Sequence, residues 1–194
     1  MEQHNEPRGG EQHPEHELGP PTPQIYIASL ADYNSGILHG EWLDATLEPD
    51  ELRERIQSML ARSPQPGAEE WAIHDHDGFC GLRIDEHENL ETVTRLAAGI
   101  ARRGEAFAAF ADWVGIEAAT VEDFANHYAG SHESLNAFVR DLAESLGWEQ
   151  QVSEFADESG IGQYVIIDYE LLAEDLRNEW HIVETEHKVH VFYP

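Results

Sequence analysis

Cysteine and lysine are nearly absent from the sequence. Cys80 is one cysteine among 194 residues, which excludes an internal disulfide and a four-cysteine zinc site. Lys188 is the one lysine, and lysine and arginine together number 11, against 39 aspartates and glutamates. The formal net charge of −28 argues against binding to bare nucleic acid or an anionic membrane, because these partners need basic side chains. A basic protein surface is the partner that the charge favours.

Long apolar runs and a basic leader are also missing. Residues 1–23 are rich in Pro, Gly, Glu and His and lack hydrophobic periodicity, which predicts a disordered extension rather than a signal peptide. The sequence contains no run of about 20 apolar residues, which is the length needed to cross a bilayer. Together with the single cysteine, these features predict a cytoplasmic protein with no membrane partner. Hydrophobic residues still make up 41% of the chain, which is enough for a folded core.

The hydrophobic periodicity predicts an α+β fold in three small subdomains, of which residues 24–86 form the first. Apolar residues alternate from Ile25 to Leu30, and a second short strand is expected at Gly40–Leu43. Pro49 opens a helix whose apolar residues share one face. A third strand is expected from Trp71 to His76, so a small sheet with one helix is predicted.

The second and third predicted subdomains are mainly helical. Residues 87–130 carry short helices with expected caps at Asn89 and Thr120. Residues 131–194 carry a helix with an expected cap at Ser131, a further helix with an expected cap at Asp168 and a C-terminal β-hairpin. The whole pattern predicts a small sheet plus helix, then a short-helix bundle, then helices with a hairpin.

The stretch YNSGILHGEWLD, residues 33–44, is nearly neutral in an otherwise acidic chain. Glycine tolerates a positive φ, and Asn and Ser side chains can bond to their own backbone, so this stretch favours a turn followed by a returning strand. We therefore interpret the stretch as a structural motif. Its members are Tyr33, Asn34, Ser35, Gly36, Gly40 and Trp42.

Carboxylates occur in pairs and short runs on the polar faces of the expected helices. Like charges three or four residues apart destabilise a helix, so either this repulsion is tolerated or it serves a function. The net charge equals that of about 48 Å of duplex DNA, at one charge per roughly 1.7 Å. Solubility or adaptation to high salt would also explain the acidity. The candidate acidic surface comprises Glu69, Glu70, Glu122, Asp123, Glu133, Asp141, Glu144, Glu154, Asp157, Glu158, Glu170 and Glu174.

Several short motifs resemble the ArdA-type antirestriction proteins in their order and spacing. The resemblance runs from about Gln24 to the C-terminus. It departs from the family at residues 154–164, where the usual acidic motif is altered, and in the N-terminal extension. The motifs that carry it are Ile25–Ile27, Tyr33–Gly36, Gly40–Leu43, Asp75–Gly78, Tyr128–Gly130, Ile167–Glu170, Ala173–Arg177 and Val189–Tyr193.

The resemblance implies an elongated protein of three subdomains that forms a homodimer through its C-terminal part. Such a dimer imitates bent B-form DNA and occupies the DNA-binding groove of type I restriction-modification enzymes, both the methyltransferase core and the full complex. It implies no catalysis, no cofactor, no direct binding of nucleic acid, and carriage on mobile genetic elements. An acidic module for another basic DNA-binding protein is the alternative that the charge leaves open.

Two features suggest chemistry instead. His74 and His76 are expected on one face of a strand, where imidazoles beside carboxylates could bind a metal, so a metal-dependent enzyme is a further alternative. Cys80 lies among apolar neighbours and is expected to be a half-buried structural thiol. The sequence shows no nucleophile elbow and no glycine-rich phosphate loop. Catalytic residues are therefore not predicted.

Overall fold

A computed structural model describes residues 22–186 and 188–194, and the fold it shows for them is α+β, as predicted. The expected extension at residues 1–23 falls almost wholly outside these ranges. No helix within them is long and apolar enough to cross a membrane. The elements are β1 (Gln24–Ser29), α1 (Leu30–Asn34), β2 (Gly40–Asp44), α2 (Pro49–Leu60), β3 (Trp71–Asp77), α3 (Leu90–Arg103), α4 (Glu105–Val114), α5 (Val121–His127), β4 (Tyr128–His132), α6 (Leu135–Ser145), α7 (Trp148–Glu158), a short 3-10 turn (Gly162–Tyr164), α8 (Tyr169–Glu179), β5 (His181–Glu184) and β6 (Val189–Phe192).

The first sheet has the antiparallel order β2–β1–β3, with helix α2 on one face. Alternation along β1 buries Ile25 and Ile27, which pack in one cluster with Leu52 and Ile56 of α2. Helix α2 begins at Pro49, where the missing N–H costs nothing because the first turn has no acceptor for it. The predicted small sheet with one helix is present.

Helices α3, α4 and α5 pack behind the first sheet in the same hydrophobic cluster. Phe107, Phe110 and Phe124 contact one another with ring centroids 5.7–6.3 Å apart, and Phe110 also meets Phe192 of β6 at 5.8 Å. This cluster contains residues from both the first and the second predicted subdomains. The division into three subdomains stays a prediction.

The second sheet has the antiparallel order β4–β6–β5 and carries helices α6 and α8 on a separate core. Strand β4 was not predicted, and the expected helix cap at Ser131 is wrong. Ser131 pairs with His190 in the sheet, and Ser134 caps α6 by accepting a bond from Ala137 N at 3.1 Å. The alternation of apolar and polar residues in Tyr128–His132 is weak because a glycine interrupts it. This segment therefore becomes a strand through its pairing with β6.

The neutral stretch forms a turn and a returning strand, after a short helix that the sequence did not reveal. Gly36 has φ +76° at the turn, with open space where a side chain would stand. Gly40 lies opposite Ala28 in the sheet, and a Cβ there would overlap the carbonyl oxygen of Ile27. Gly40 therefore allows two backbones to approach closely, whereas Gly36 allows only the positive-φ conformation of the turn.

Replacing Gly40 with Ala is expected to lower the free energy of unfolding by about 3 kcal/mol, because the overlapping atom belongs to the backbone and cannot rotate away. Gly36→Ala is the matched control and should cost about 1–2 kcal/mol through backbone strain alone. Urea denaturation followed by circular dichroism measures both values. A Gly40→Ala loss no larger than that of Gly36→Ala would contradict the close approach.

Candidate acidic interaction surface

All twelve residues of the candidate acidic surface are exposed in the structure. Seven of them lie on the three helices α6, α7 and α8, and α6 packs against both α7 and α8. We call this subset the three-helix acidic group. Its members are Asp141 and Glu144 of α6, Glu154, Asp157 and Glu158 of α7, and Glu170 and Glu174 of α8.

The apolar faces of the helices determine where these carboxylates lie. Helix α6 buries Leu135, Phe138 and Val139, and α8 buries Ala173, all in the second core. Residues at other helical positions are left on the solvent side. Asp168 caps α8 by accepting bonds from Glu170 N and Leu171 N at 3.1 and 3.0 Å, which fixes its first turn.

The other five predicted residues lie on different elements. Glu122 and Asp123 occupy the first turn of α5, where the Thr120 hydroxyl donates to Asp123 Oδ2 at 2.6 Å and accepts from Asp123 N at 3.0 Å. Glu133 lies in the turn before α6, and Glu69 and Glu70 lie in the loop before β3. These residues are outside the three-helix acidic group.

Basic side chains neutralise little of the C-terminal half. Residues 104–194 contain 19 aspartates and glutamates and three basic residues, Arg140, Arg177 and Lys188. The Arg140 guanidinium lies over the ring of Tyr169, 4.3 Å from its centroid, and Arg177 bonds to Glu184 at 2.7 Å. Neither arginine is paired with a carboxylate of the three-helix acidic group, in which Asp141 Oδ2 lies 3.2 Å from Nδ1 of His132. Most of that charge therefore faces solvent uncompensated.

Tyr169 fixes one edge of the acidic group. Its hydroxyl donates a hydrogen bond to the Glu149 carboxylate of α7, which joins the start of α8 to α7. That bond, together with burial and the Glu149 charge, raises the pKa of Tyr169 above its ordinary value of 10.0, although Arg140 acts in the opposite direction. The tyrosine is thus held in its neutral, donating form.

An apolar groove opens beside the acidic group. Its volume is about 430 Å³, and its apolar lining comes from Val152, Ala156, Val165 and Ile167. Large apolar side chains stand exposed around it, with exposed fractions of 62% for Phe155, 77% for Tyr164 and 86% for Ile166. Sequence reasoning missed this surface, although apolar residues in the non-helical segment 161–167 were a signal for it.

A β-bulge interrupts the strand alternation from which His74 and His76 were expected to share one face. Pairing of β1 with β3 places Asp75 opposite Tyr26 but Ile73 opposite Ile27, so His74 is the extra residue of a β-bulge. The His74 ring packs edge-on against Tyr33 at 4.7 Å, whereas the His76 ring meets Phe79 at 5.6 Å. Within residues 22–186 and 188–194, no group of three or more His, Cys, Asp and Glu side chains could hold a metal ion.

Cys80 is exposed rather than half-buried as expected, and it has φ +52° in a turn between two glycines. It lies at the rim of an open groove and not among core side chains. Partial enclosure of the thiol, with the charge of Glu105, raises its pKa above the ordinary value of 9.0. A raised pKa disfavours the reactive thiolate, which argues against a role for Cys80 as a nucleophile.

A buried carboxylate, Asp32, supports the neutral stretch and was missed in the sequence. The Ser63 hydroxyl donates to Asp32 Oδ2 at 2.6 Å, which joins α1 to the end of α2. Burial acts to raise the pKa of Asp32, but hydrogen bonds from Ser63 and Ser29 and the charge of His39 outweigh it, so the pKa lies below 3.8. Ser29 followed three residues later by Asp32 is a capping-box pattern that could have revealed the site.

Replacing Asp32 with Asn is expected to lower stability at neutral pH, because the bonded anion is lost. Since the pKa of Asp32 is lowered on folding, its stabilisation is present above pH 3.8 and declines as the pH falls below that value. Unfolding free energies measured between about pH 5 and pH 2.5 should fall more steeply for the wild type than for Asp32→Asn. The exposed Asp77→Asn variant should follow the wild type. Parallel curves for all three would contradict the role of Asp32.

A comparison with known families gives the class of the protein. The sequence model of the antirestriction protein (ArdA) family matches residues 25–191. This range covers most of the chain, and the chain therefore belongs to the ArdA family of antirestriction proteins. The resemblance found in the short motifs is confirmed. The comparison with curated proteins found no match.

Proposed function

We propose that the protein inhibits type I restriction-modification enzymes by occupying their DNA-binding groove in place of DNA. Carboxylates take the place of phosphates, and no catalysis or cofactor is involved. The single observation that carries this proposal is the three-helix acidic group, whose charge faces solvent with little compensation. Family membership supports antirestriction activity, and this charge distribution supports DNA mimicry as its means.

The charge also predicts how binding behaves. A groove that holds DNA is basic, so an acidic surface is drawn to it over a distance and docks with complementary potential. Added salt screens both effects, and affinity therefore falls as salt rises. Because exposed charge pairs each contribute little, the binding energy is spread over many carboxylates. No residue of the acidic group is expected to dominate.

We propose a homodimer formed through the C-terminal part, beside the acidic group. The observation that supports it is the exposure of three large apolar side chains, Phe155, Tyr164 and Ile166, on α7 and in the segment after it, because exposed apolar surface of this kind marks interaction sites. A second copy would cover these side chains and bring two acidic groups into one assembly. The continuous acidic stripe required for imitation of DNA then runs through the dimer.

The same proposal predicts the cellular compartment and the binding partners of the protein. An inhibitor of restriction acts where incoming DNA meets the enzyme, which is the cytoplasm. Its uncompensated charge opposes direct contact with nucleic acid and with anionic membranes. The expected partners are therefore the methyltransferase core, the full restriction complex and a second copy of the chain.

A cleavage assay tests the proposal. A purified type I restriction enzyme and an unmodified plasmid that carries its target are combined with increasing amounts of this protein, and cleavage is followed on gels. Complete protection at stoichiometric amounts is expected, with the same amounts blocking methylation by the core enzyme. Full cleavage in the presence of folded protein would overturn the proposal and favour another basic partner.

A further inference from the structure

A polar contact connects the two hydrophobic cores. His190 lies on β6, the central strand of the second sheet, with a side chain that is 3% exposed. Its Nε2 atom is 3.3 Å from Oε1 of Glu105, in the first turn of α4. The Thr185 hydroxyl, after β5, lies 3.3 Å from the same oxygen and 3.0 Å from the carbonyl oxygen of Lys188, and its one proton can be donated to either. We call these three residues the junction, because α4 belongs to the first core and β6 continues into the second.

The junction is not a fully bonded network. Neither ring nitrogen of His190 has an aligned hydrogen-bond partner among the described residues, because the 3.3 Å contact with Glu105 lacks hydrogen-bond geometry. A buried polar group without such a partner is costly. Glu105 itself is 39% exposed and borders an open groove of about 260 Å³ between Cys80, α4 and β5. The contact is therefore held by packing and is accessible from one side.

Among the described residues, few titratable or charged groups face His190 from the neighbouring elements. Helix α4 presents Glu105, and β4 presents Tyr128, whose ring centroid is 6.5 Å from the His190 ring. On β5 the residue directly opposite is the apolar Val183, and Lys188 lies two positions before His190 on its own chain segment. Of these groups, Glu105 favours a charged imidazole and Lys188 opposes it.

We propose that the junction is a pH-sensitive switch, closed while His190 is neutral and opened when the ring takes up a proton and becomes hydrated. Burial lowers the pKa of His190 below 6.5, with Glu105 acting against this shift. As the pH falls below 6.5, the open form binds a proton that the closed form does not. The closed form therefore loses population as the pH falls.

Opening of the junction changes the position of the two hydrophobic cores relative to each other. Glu122 and Asp123 lie on α5, which packs in the first core, whereas α6 and α8 of the three-helix acidic group pack in the second. A change at the junction alters the spacing between these two sets of carboxylates. The consequence for inhibition rests on the proposed function. The switch itself does not, and the switch is therefore tested on the protein alone.

The test combines nuclear magnetic resonance titration of the histidine rings with amide hydrogen exchange. The titration midpoint of His190 is expected below 6.5. The protection factors of β6 amides should fall by up to about tenfold between pH 7.5 and pH 5.5, the limit for one imidazole that titrates only in the open form. His190→Gln should abolish this fall. Glu105→Gln removes the attraction for the charged ring, so its His190 midpoint should fall further.

Controls separate the switch from general acid sensitivity. His87→Gln alters an exposed histidine far along the chain from the junction and should behave as the wild type. His181, which is half-buried and stacks on Trp113 at 4.3 Å, is resolved by its own ring signals. The proposal is overturned if the His190 midpoint lies at or above 6.5. It is equally overturned if β6 protection is unchanged with pH, or if Glu105→Gln raises the midpoint.

Discussion

Replacing Asp141, Glu144, Glu170 and Glu174 together by Asn and Gln is expected to weaken displacement of DNA from a type I methyltransferase core by at least about tenfold. A solvent-exposed ion pair contributes roughly 1.4- to 5-fold in affinity, so four lost pairs at about twofold each weaken binding by about 16-fold. The side chains point to solvent, and the inner face of both helices is unchanged. Folding should therefore be retained. A labelled duplex that carries the target reports displacement by fluorescence anisotropy.

A variant that loses the same amount of charge outside the candidate acidic surface is the matched control. Glu54, Asp77, Asp85 and Glu117 are exposed carboxylates outside the candidate surface, and their joint replacement changes the net charge by the same amount. This control should lose less than about threefold in affinity, through weakened long-range attraction alone. Single replacements within the acidic group should be nearly silent. Equal losses for both quadruple variants would show that net charge matters and the acidic group does not.

Replacing Ile166 with Asp is expected to convert the proposed dimer to monomer at micromolar concentration. Ile166 is 86% exposed in the single chain, at the edge of the apolar groove. Burial of an isoleucine side chain contributes about 1.5–3 kcal/mol, and a twofold interface contains two copies. The dimer dissociation constant should therefore rise at least about 100-fold. Sedimentation equilibrium measures it directly.

Leu38→Asp is the matched control for this change. Leu38 is 77% exposed on the first core and lies in the turn before β2, away from the groove. Its replacement introduces the same charge at an equally exposed apolar position and should leave the dimer intact. A wild-type protein that is monomeric at all concentrations would contradict the dimer. An Ile166→Asp protein that stays dimeric would place the interface on another surface.

Much of the fold follows from local signals in the sequence. Asn89, Thr120 and Asp168 were predicted as helix caps, and each accepts a bond from the first turn of its helix. Pro49 begins α2 as expected. These features depend on residues close together in the chain, so the pattern is sufficient to find them. The outward direction of the carboxylates follows equally from the apolar face of each helix.

Features that depend on distant partners could not be predicted. Strand β4 exists because β6 pairs with it, and the bulge at His74 results from the register with β1. The approach of Glu105 to His190 joins residues 85 positions apart, and no local pattern marks it. The exposed apolar groove likewise depends on how α7 and α8 pack. Sequence patterns identify which side chains are acidic or apolar, but tertiary packing decides which of them meet.

Competition between the protein and DNA for the DNA-binding groove is the decisive measurement for DNA mimicry. A type I methyltransferase core bound to labelled target DNA is titrated with this protein at low and at moderate salt. Full displacement of the DNA is expected, with an affinity for the inhibitor that falls as salt rises. DNA that stays bound at both salt concentrations, with the protein shown to be folded, would contradict DNA mimicry. The acidic group would then have no role in this groove.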